Sequence, residues 1–254
     1  MGANMSATYI IRNAVAQVTA LHEIASGTRG LEQAVNDIKR FQARRFAATY
    51  HDLLHSNQYQ LAARFFLDEL YSDKDYSQRD DQFARIAGAL ERIFPEQVVQ
   101  TAVLLSQLHC LTEELDLAMA KIWMSLSDHS EVARYVMAWK EVGQRINRDG
   151  QIAMVLTIGE ELDRLTRLPG LRVMLKMMRG PARLAGLGSL QKFLETGFDT
   201  FADIGHTKNG TEYFLQTVHT RESTLVRLLF SSDAVACETE LIQLLEVKKK
   251  RPVD

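Results

Sequence analysis

The chain has 254 residues, 46% of them hydrophobic and 24% charged, which is typical of a globular protein with a substantial apolar core. Its 30 basic and 32 acidic residues give a formal net charge of −2, which excludes a general electrostatic attraction to nucleic acid. Only four prolines and fourteen glycines occur, and this scarcity favours long helices over an all-β chain with many tight turns.

In the first half of the chain, apolar residues recur every three or four positions, which predicts amphipathic helices. Ser56 and Ser77 precede two of these segments and are predicted to begin their helices. The longest segment precedes Met124 and is expected to be the central core helix. The predicted helices cover residues 7–25, 31–54, about 57–71, 77–94 and 96–124.

The second half continues the same periodicity. Asp128 and Asp233 are predicted to cap helices, and Pro169-Gly170 is predicted to end one. The predicted helices cover residues 129–142, about 151–168, 189–204 and 211–230, with a short final helix after Asp233. Residues 248–251, Lys-Lys-Lys-Arg, are interpreted as a basic, solubilising tail.

The absence of any alternating strand pattern and the short connections predict an all-α fold, a multi-helix bundle of nine or ten helices. We expect a single domain over residues 1–254. The alternative is two sub-bundles, over about residues 1–145 and 146–247.

Cys110 and Cys237 are the two cysteines, and each lies alone within a segment of helical periodicity. This pattern excludes a disulfide scaffold and favours a reducing compartment. The N-terminal residues do not match a secretory signal, and no run of about eighteen apolar residues could cross a bilayer. The expected location is therefore the cytoplasm.

Residues 64–80 combine four aromatic rings with seven carboxylate or guanidinium groups. Arg64 and Asp68 are one helical turn apart, and we expect them to form an ion-pair network with Arg79 that ties the loop to its helices. The alternative is a ligand-binding site. Its candidate residues are Arg64, Asp68, Tyr71, Arg79 and Asp80.

His51 and His55 lie one helical turn apart in the sequence His-Asp-Leu-Leu-His, an imperfect version of the His-Glu-x-x-His zinc motif. We favour two partly exposed histidines near a helix end over a metal site, because a third ligand is not evident. His109 shares a helix face with Glu113 and Asp116. The absence of any Glu-x-x-His pair excludes a di-iron bundle, and we expect an ordinary charge-assisted contact there.

Residues 164–192 contain seven cations interleaved with methionine and leucine, and no acidic residue interrupts them. We favour an apolar core face with a solvated basic face. The alternative is a surface that uses Arg172 and Lys176 to contact a partner protein or an anionic membrane. The cations are Arg164, Arg167, Arg172, Lys176, Arg179, Arg183 and Lys192.

Four segments carry a family resemblance: residues 65–71 (Phe-Phe-Leu-Asp-Glu-Leu-Tyr), 75–80 (Asp-Tyr-Ser-Gln-Arg-Asp), 180–188 and 190–198. With these segments the chain resembles a bacterial family of helical proteins known only as a domain of unknown function. The resemblance covers about residues 31–230. It implies a bacterial cytoplasmic protein with one extended helical unit, and it implies no activity, cofactor or catalytic residue.

These observations predict a non-catalytic binding or regulatory protein that acts through helical surfaces. Its expected partner is another protein or a second copy of the chain, a peripheral membrane contact is the weaker alternative, and no nucleic acid or cofactor is expected. The alternative function is to enclose a metal, haem or lipid-like ligand with His51, His55 or His109. An enzyme that uses Asp68, Asp80 or His109 as acid or base is disfavoured because no catalytic motif supports it.

Overall fold

The structure, a computed structural model, describes residues 5–71, 73–74, 76–207 and 209–246. Within these residues the chain forms helices joined by turns and contains no strand, so the predicted all-α class is confirmed. The predicted basic tail lies outside the described residues. No described helix is both long enough and apolar enough to span a membrane.

The described residues of the first half form six helices, which include the predicted long central helix. The second predicted helix is divided in two after Thr49. Their bounds are α1 (Ala7–Gly27), α2 (Leu31–Thr49), α3 (His51–Leu54), α4 (Gln60–Glu69), α5 (Ser77–Ile93) and α6 (Glu96–Ser125).

In the second half, the residues that the structure describes form seven helices. The basic region contains two short helices, of seven and six residues, that the periodicity had not separated. The bounds are α7 (Glu131–Val142), α8 (Arg145–Thr166), α9 (Leu171–Met177), α10 (Arg179–Leu184), α11 (Gly188–Gly205), α12 (Gly210–Ser231) and α13 (Ala234–Glu246).

Two compact units make up the chain, and each combines three separate segments. The first unit consists of Met1–Ala20, Lys74–Leu111 and Ala153–Leu215. The second unit consists of Leu21–Asp73, Thr112–Ile152 and Gln216–Asp254. The choice between one domain and two sub-bundles divided near residue 145 stays a prediction.

Each unit has its own apolar core. In the first unit, α5 contributes Phe83 and Leu90, which pack with Ile11 of α1 and Leu190 of α11. In the second unit, α2, α6, α7, α12 and α13 surround a core rich in aromatic residues. The rings of Phe41 and Tyr135 stack there with their centroids 4.2 Å apart.

Several helix starts differ from the prediction: α4 begins at Gln60 and is not capped by Ser56, and α7 and α8 also differ. Helix α7 is capped by Ser130, whose Oγ accepts a hydrogen bond from the Ala133 amide at 3.2 Å, and not by Asp128. Helix α8 begins at Arg145, six residues before the predicted start. The polar residues after Gln144 hid this start, because they lack an apolar stripe. Asp233 does accept a hydrogen bond from the Ala236 amide at 2.8 Å, as its capping role predicted.

Candidate functional site

An ion pair between Arg45 and Glu222 lies buried in the second unit. Arg45 projects from α2 and Glu222 from α12, and the Arg45 Nη1 donates to Glu222 Oε1 at 2.5 Å. The hydroxyl of Tyr50 donates to the same oxygen at 2.9 Å. A buried charge is very costly unless it is paired and hydrogen-bonded, so this carboxylate compensates the guanidinium directly.

The pKa values in this pair follow from burial and from the opposite charge. Burial by itself would lower the pKa of Arg45, but the Glu222 carboxylate, together with Tyr71 and Tyr135, raises that pKa overall. Burial and the same carboxylate raise the pKa of Tyr50, and burial also raises the pKa of Tyr71. Arg45 therefore stays charged and both tyrosines keep their protons at neutral pH.

Two carboxylates of α6 form the next part of the cluster. Glu113 pairs with Lys39 of α2 at 2.6 Å, and His22 of α1 lies 3.2 Å from its other oxygen. Asp116 is buried and accepts a hydrogen bond from the Gln42 side-chain amide at 2.9 Å. Burial raises the pKa of Asp116 to about 6, although Lys39 opposes that shift.

A second guanidinium, Arg148 of α8, is 4% exposed. It stacks on Trp139 with its central carbon 3.9 Å from the ring centroid. Its terminal nitrogens lie 3.1 Å from the Met119 sulfur and 3.4 Å from the Gln151 side-chain oxygen. Among the described residues, no carboxylate lies within ion-pair distance of Arg148, and its Nε has no hydrogen-bond acceptor.

These groups form one electrostatic cluster, which we call the ionic cluster. Tyr135 connects the Arg45 part of the cluster with the Arg148 part. Burial raises the pKa of Tyr135, and the charges of Arg45 and Arg148 both oppose that rise. Asp116 in turn acts on Arg148, whose pKa burial lowers. The members are Lys39, Gln42, Arg45, Tyr50, Tyr71, Glu113, Asp116, Tyr135, Arg148 and Glu222.

The aromatic and acidic block predicted from sequence is shared between the two units, which divide after Asp73. Tyr71 lies in the second unit, where the Arg45 guanidinium is 5.5 Å from its ring centroid. Arg64 and Asp68 are exposed, and the predicted pair between them does not occur. Among the described residues, Arg64 forms no ion pair.

The other part of the block lies in the first unit. Asp80 is buried, and its Oδ2 lies 2.8 Å from His109 Nε2, within hydrogen-bond distance. The Nε of Arg79 lies 3.9 Å from the other carboxylate oxygen, Asp80 Oδ1. The Arg79 guanidinium stacks on Tyr76 at 3.9 Å and lies 4.6 Å from the Phe193 ring centroid. The charge-assisted contact expected for His109 is therefore present, and its partner is Asp80.

The two histidines of the zinc-like motif stack on each other, with ring centroids 4.1 Å apart. His55 Nδ1 donates to the carbonyl of His51 at 2.7 Å. Asp52 forms a two-pronged ion pair with Arg221, and both of its contacts measure 2.7 Å. In the part of the chain that the structure describes, no group of three or more His, Cys, Asp or Glu residues could hold a metal ion.

The basic region lies in the first unit and combines paired and unpaired cations. Arg172 contacts Asp199 at 2.9 Å, and Arg179 pairs with Glu195. Arg164 pairs with Glu161, and Arg167 pairs with Asp163. The remaining exposed cations form no ion pair with any described residue. They are Lys176, Arg183 and Lys192.

Three apolar side chains beside these cations face solvent. Val173 and Met177 of α9 are 60% and 73% exposed, and Leu184 of α10 is 91% exposed. Val173, Lys176 and Met177 share one helix face, since they are three and four positions apart. We call these residues, with Arg183 and Leu184, the basic apolar surface.

Sequence reasoning missed most of the ionic cluster, although the chain carries a signal for it. Arg45 lies four positions after Phe41, and Glu222 lies four positions after Val218 and four before Val226. Both charges therefore occupy positions in an apolar stripe, where a charged residue must find a buried partner. Arg148 carries no such signal, because its neighbours in sequence are polar.

Comparisons with known proteins identify a family and no activity. A family model described as a domain of unknown function (DUF8198) matches residues 21–236, so the chain belongs to this family. The predicted membership in an uncharacterised helical family is thereby confirmed. Neither the curated proteins nor the solved structures include a significant match.

Proposed function

We propose that this DUF8198 protein is a non-catalytic binding protein whose basic apolar surface binds an acidic, amphipathic helix of a partner protein. The observation that carries the proposal is the exposure of Val173, Met177 and Leu184, which adjoin in sequence cations that form no ion pair with any described residue. Apolar side chains with flexible methionine suit adaptable contacts, and a helix that presents an apolar face is a common ligand for such surfaces.

Charge complementarity selects an acidic partner. Residues 164–194 contain no acidic residue, and the carboxylates of Glu195 and Asp199 are already paired with Arg179 and Arg172. Lys176 and Arg183 are therefore available to glutamate or aspartate side chains of an approaching helix. Such pairs would steer association and fix the orientation of the partner.

The proposed setting is the bacterial cytoplasm. Cys110 and Cys237 are both free and buried, which suits a reducing compartment. A fusion to a reporter that is active only in the cytoplasm, or only outside it, tests the location in a bacterial host.

Photo-crosslinking in cells tests the partner. A photoreactive amino acid at Met177 should crosslink to one recurring segment of another protein, and mass spectrometry should identify that segment as an acidic amphipathic helix. Charge reversal by Lys176→Glu with Arg183→Glu should abolish the crosslink. The matched control Arg172→Gln should retain it, because Arg172 already has a partner in Asp199.

Other results would overturn the proposal. Crosslinks to lipid would indicate a membrane surface, and crosslinks to the same chain would indicate a homodimer. Crosslinks that survive the double charge reversal would show that the cations do not contribute to binding.

A further inference from the structure

Arg148 differs from the other buried cation of the second unit. Glu222 compensates Arg45, and Glu113 compensates the partly buried Lys39. These pairs leave Arg148 and Asp116 as the two buried charges of the ionic cluster without an opposite charge in contact. The hydrogen-bonding capacity of a guanidinium is best satisfied by a carboxylate or phosphate, and among the described residues Arg148 has only a sulfur and an amide oxygen as hydrogen-bond acceptors.

We propose that the ionic cluster is a binding site for a small carboxylate anion, which pairs with Arg148 and enters together with one proton that Asp116 takes up. The guanidinium supplies the charge-assisted hydrogen bonds, starting from its unbonded Nε–H. Aromatic side chains surround this guanidinium: it stacks on Trp139 at 3.9 Å, and the Tyr135 ring centroid lies 6.0 Å from that of Trp139. The ligand class is therefore a small monocarboxylate with a planar or short apolar body.

Charge balance explains the coupled proton. With every carboxylate ionised, the members of the cluster supply the cations of Lys39, Arg45 and Arg148 and the anions of Glu113, Asp116 and Glu222. An added monoanion would leave one uncompensated negative charge in a buried site, which is strongly unfavourable. Protonation of Asp116 restores neutrality, so the anion and the proton bind together.

The surroundings of Asp116 favour this exchange. The charged and titratable groups that act on it are Lys39 from α2, Glu113 from its own helix α6, Tyr135 from α7 and Arg148 from α8, and Gln42 is its hydrogen-bond donor. Burial and the like charge of Glu113 favour the protonated acid, and the cations oppose it. The pKa of about 6 makes proton uptake accessible near neutral pH.

Calorimetric titration of the full-length chain with benzoate tests the site. Benzamide, a neutral molecule of the same shape, is the ligand control. Benzoate should bind and benzamide should not, and benzoate should bind more tightly at about pH 5 than at about pH 7.5, on either side of the Asp116 pKa. Repeating the titration in buffers of different ionisation enthalpy should show proton uptake, near one proton per anion, at the higher pH.

Three variants identify the residues responsible. Arg148→Met should weaken benzoate binding by at least about tenfold, because a charge-assisted hydrogen bond is lost. Arg134→Met is the matched control, since Arg134 also stacks on a tryptophan of this unit, Trp123, and has an unbonded Nε. It should leave binding unchanged. Asp116→Asn should remove the pH dependence of binding and the proton uptake.

The proposal is overturned if benzoate and benzamide give the same result with the unaltered chain. It is also overturned if the Arg148 and Arg134 variants weaken binding equally, or if Asp116→Asn retains the proton uptake. Circular dichroism establishes whether each variant is folded. If Arg148→Met does not fold, the ligand comparison and the proton uptake of the unaltered chain still decide the outcome.

Discussion

At the scale of single residues, Arg45 and Glu222 show that a buried charge depends on its partner. They are 177 positions apart in sequence, and both are almost entirely removed from solvent. The loss of one member leaves the other charged and buried, which costs much more than the pair contributes. Replacement of both members by apolar residues removes both charges, so no uncompensated charge stays buried.

Arg45→Met should therefore destabilise the fold by about 3–5 kcal/mol, because it leaves the Glu222 carboxylate buried without a cation. The double variant Arg45→Met with Glu222→Leu should recover most of that loss. Urea denaturation followed by circular dichroism measures both free energies of unfolding. A double variant as unstable as the single one would show that the pair contributes more than its replacement by packed apolar side chains.

Asp116 should make the stability of the second unit depend on pH. Its pKa is raised from 3.8 to about 6 in the folded state, so its contribution is fully favourable below about pH 4 and is lost as the pH rises through 6. Asp116→Asn cannot ionise and should not lose this contribution. The free energy of unfolding of the variant relative to the unaltered chain should increase between about pH 4 and pH 7.

Urea denaturation at several pH values measures this difference directly. Carboxylates with lowered pKa values, such as Asp52 beside Arg221, act in the opposite direction but are common to both proteins. Their contributions therefore cancel in the difference between the unfolding free energies of the variant and the unaltered chain. A difference that does not change with pH would contradict the raised pKa of Asp116.

At the scale of secondary structure elements, helix boundaries depend on groups that the apolar pattern does not reveal. Ser130, and not Asp128, caps α7, because the Ser130 side chain accepts a hydrogen bond from the Ala133 amide. Gly143 and Gln144 then separate α7 from α8, and both have positive φ angles, 62° and 58°. Glycine adopts this conformation readily, and a glutamine there carries some backbone strain.

Ser130→Ala should destabilise the fold by about 1 kcal/mol, because the Ala133 amide loses its capping acceptor. Asp128→Ala is the matched control and should change the free energy of unfolding by much less, since Asp128 caps no helix. Chemical denaturation of the two variants side by side measures both values. Equal losses would contradict the assignment of Ser130 as the cap.

At the scale of the whole molecule, the charge is nearly balanced overall but unevenly distributed along the chain. The formal net charge is −2, while residues 164–194 contain only cations among their charged residues. Arg172 and Arg179 pair with carboxylates of α11, and Arg164 and Arg167 pair with Glu161 and Asp163. The unpaired remainder is too small to bind several phosphates at once, which specific binding to a duplex requires.

The full-length chain should therefore not retard a DNA or RNA duplex in a gel at about 0.15 M salt. The reason is that non-specific binding depends on many simultaneous phosphate contacts. Retardation that is lost in the Lys176→Glu, Arg183→Glu double variant would contradict this prediction. It would also assign the basic apolar surface to a nucleic acid.

Much of the fold could be predicted because periodicity is a local property. The apolar periodicity over residues 96–124 predicted α6, and Pro169-Gly170 correctly marked the region where α8 ends. The start of α8 was predicted six residues late, since its first turns are polar and one of them carries Arg148 into the interior. A buried cation in a polar segment gives no periodic signal.

The sequence by itself determined the all-α class, most helices and the basic character of residues 164–192, because each depends on neighbours within a few turns of helix. Only the tertiary structure decided which charges meet. It assigned Tyr71 and Asp80 to different units and joined Arg45 to Glu222. It also brought no carboxylate of the described residues within ion-pair distance of Arg148. Pairing of buried charges depends on contacts between helices far apart in the chain, and a single sequence does not specify those contacts locally.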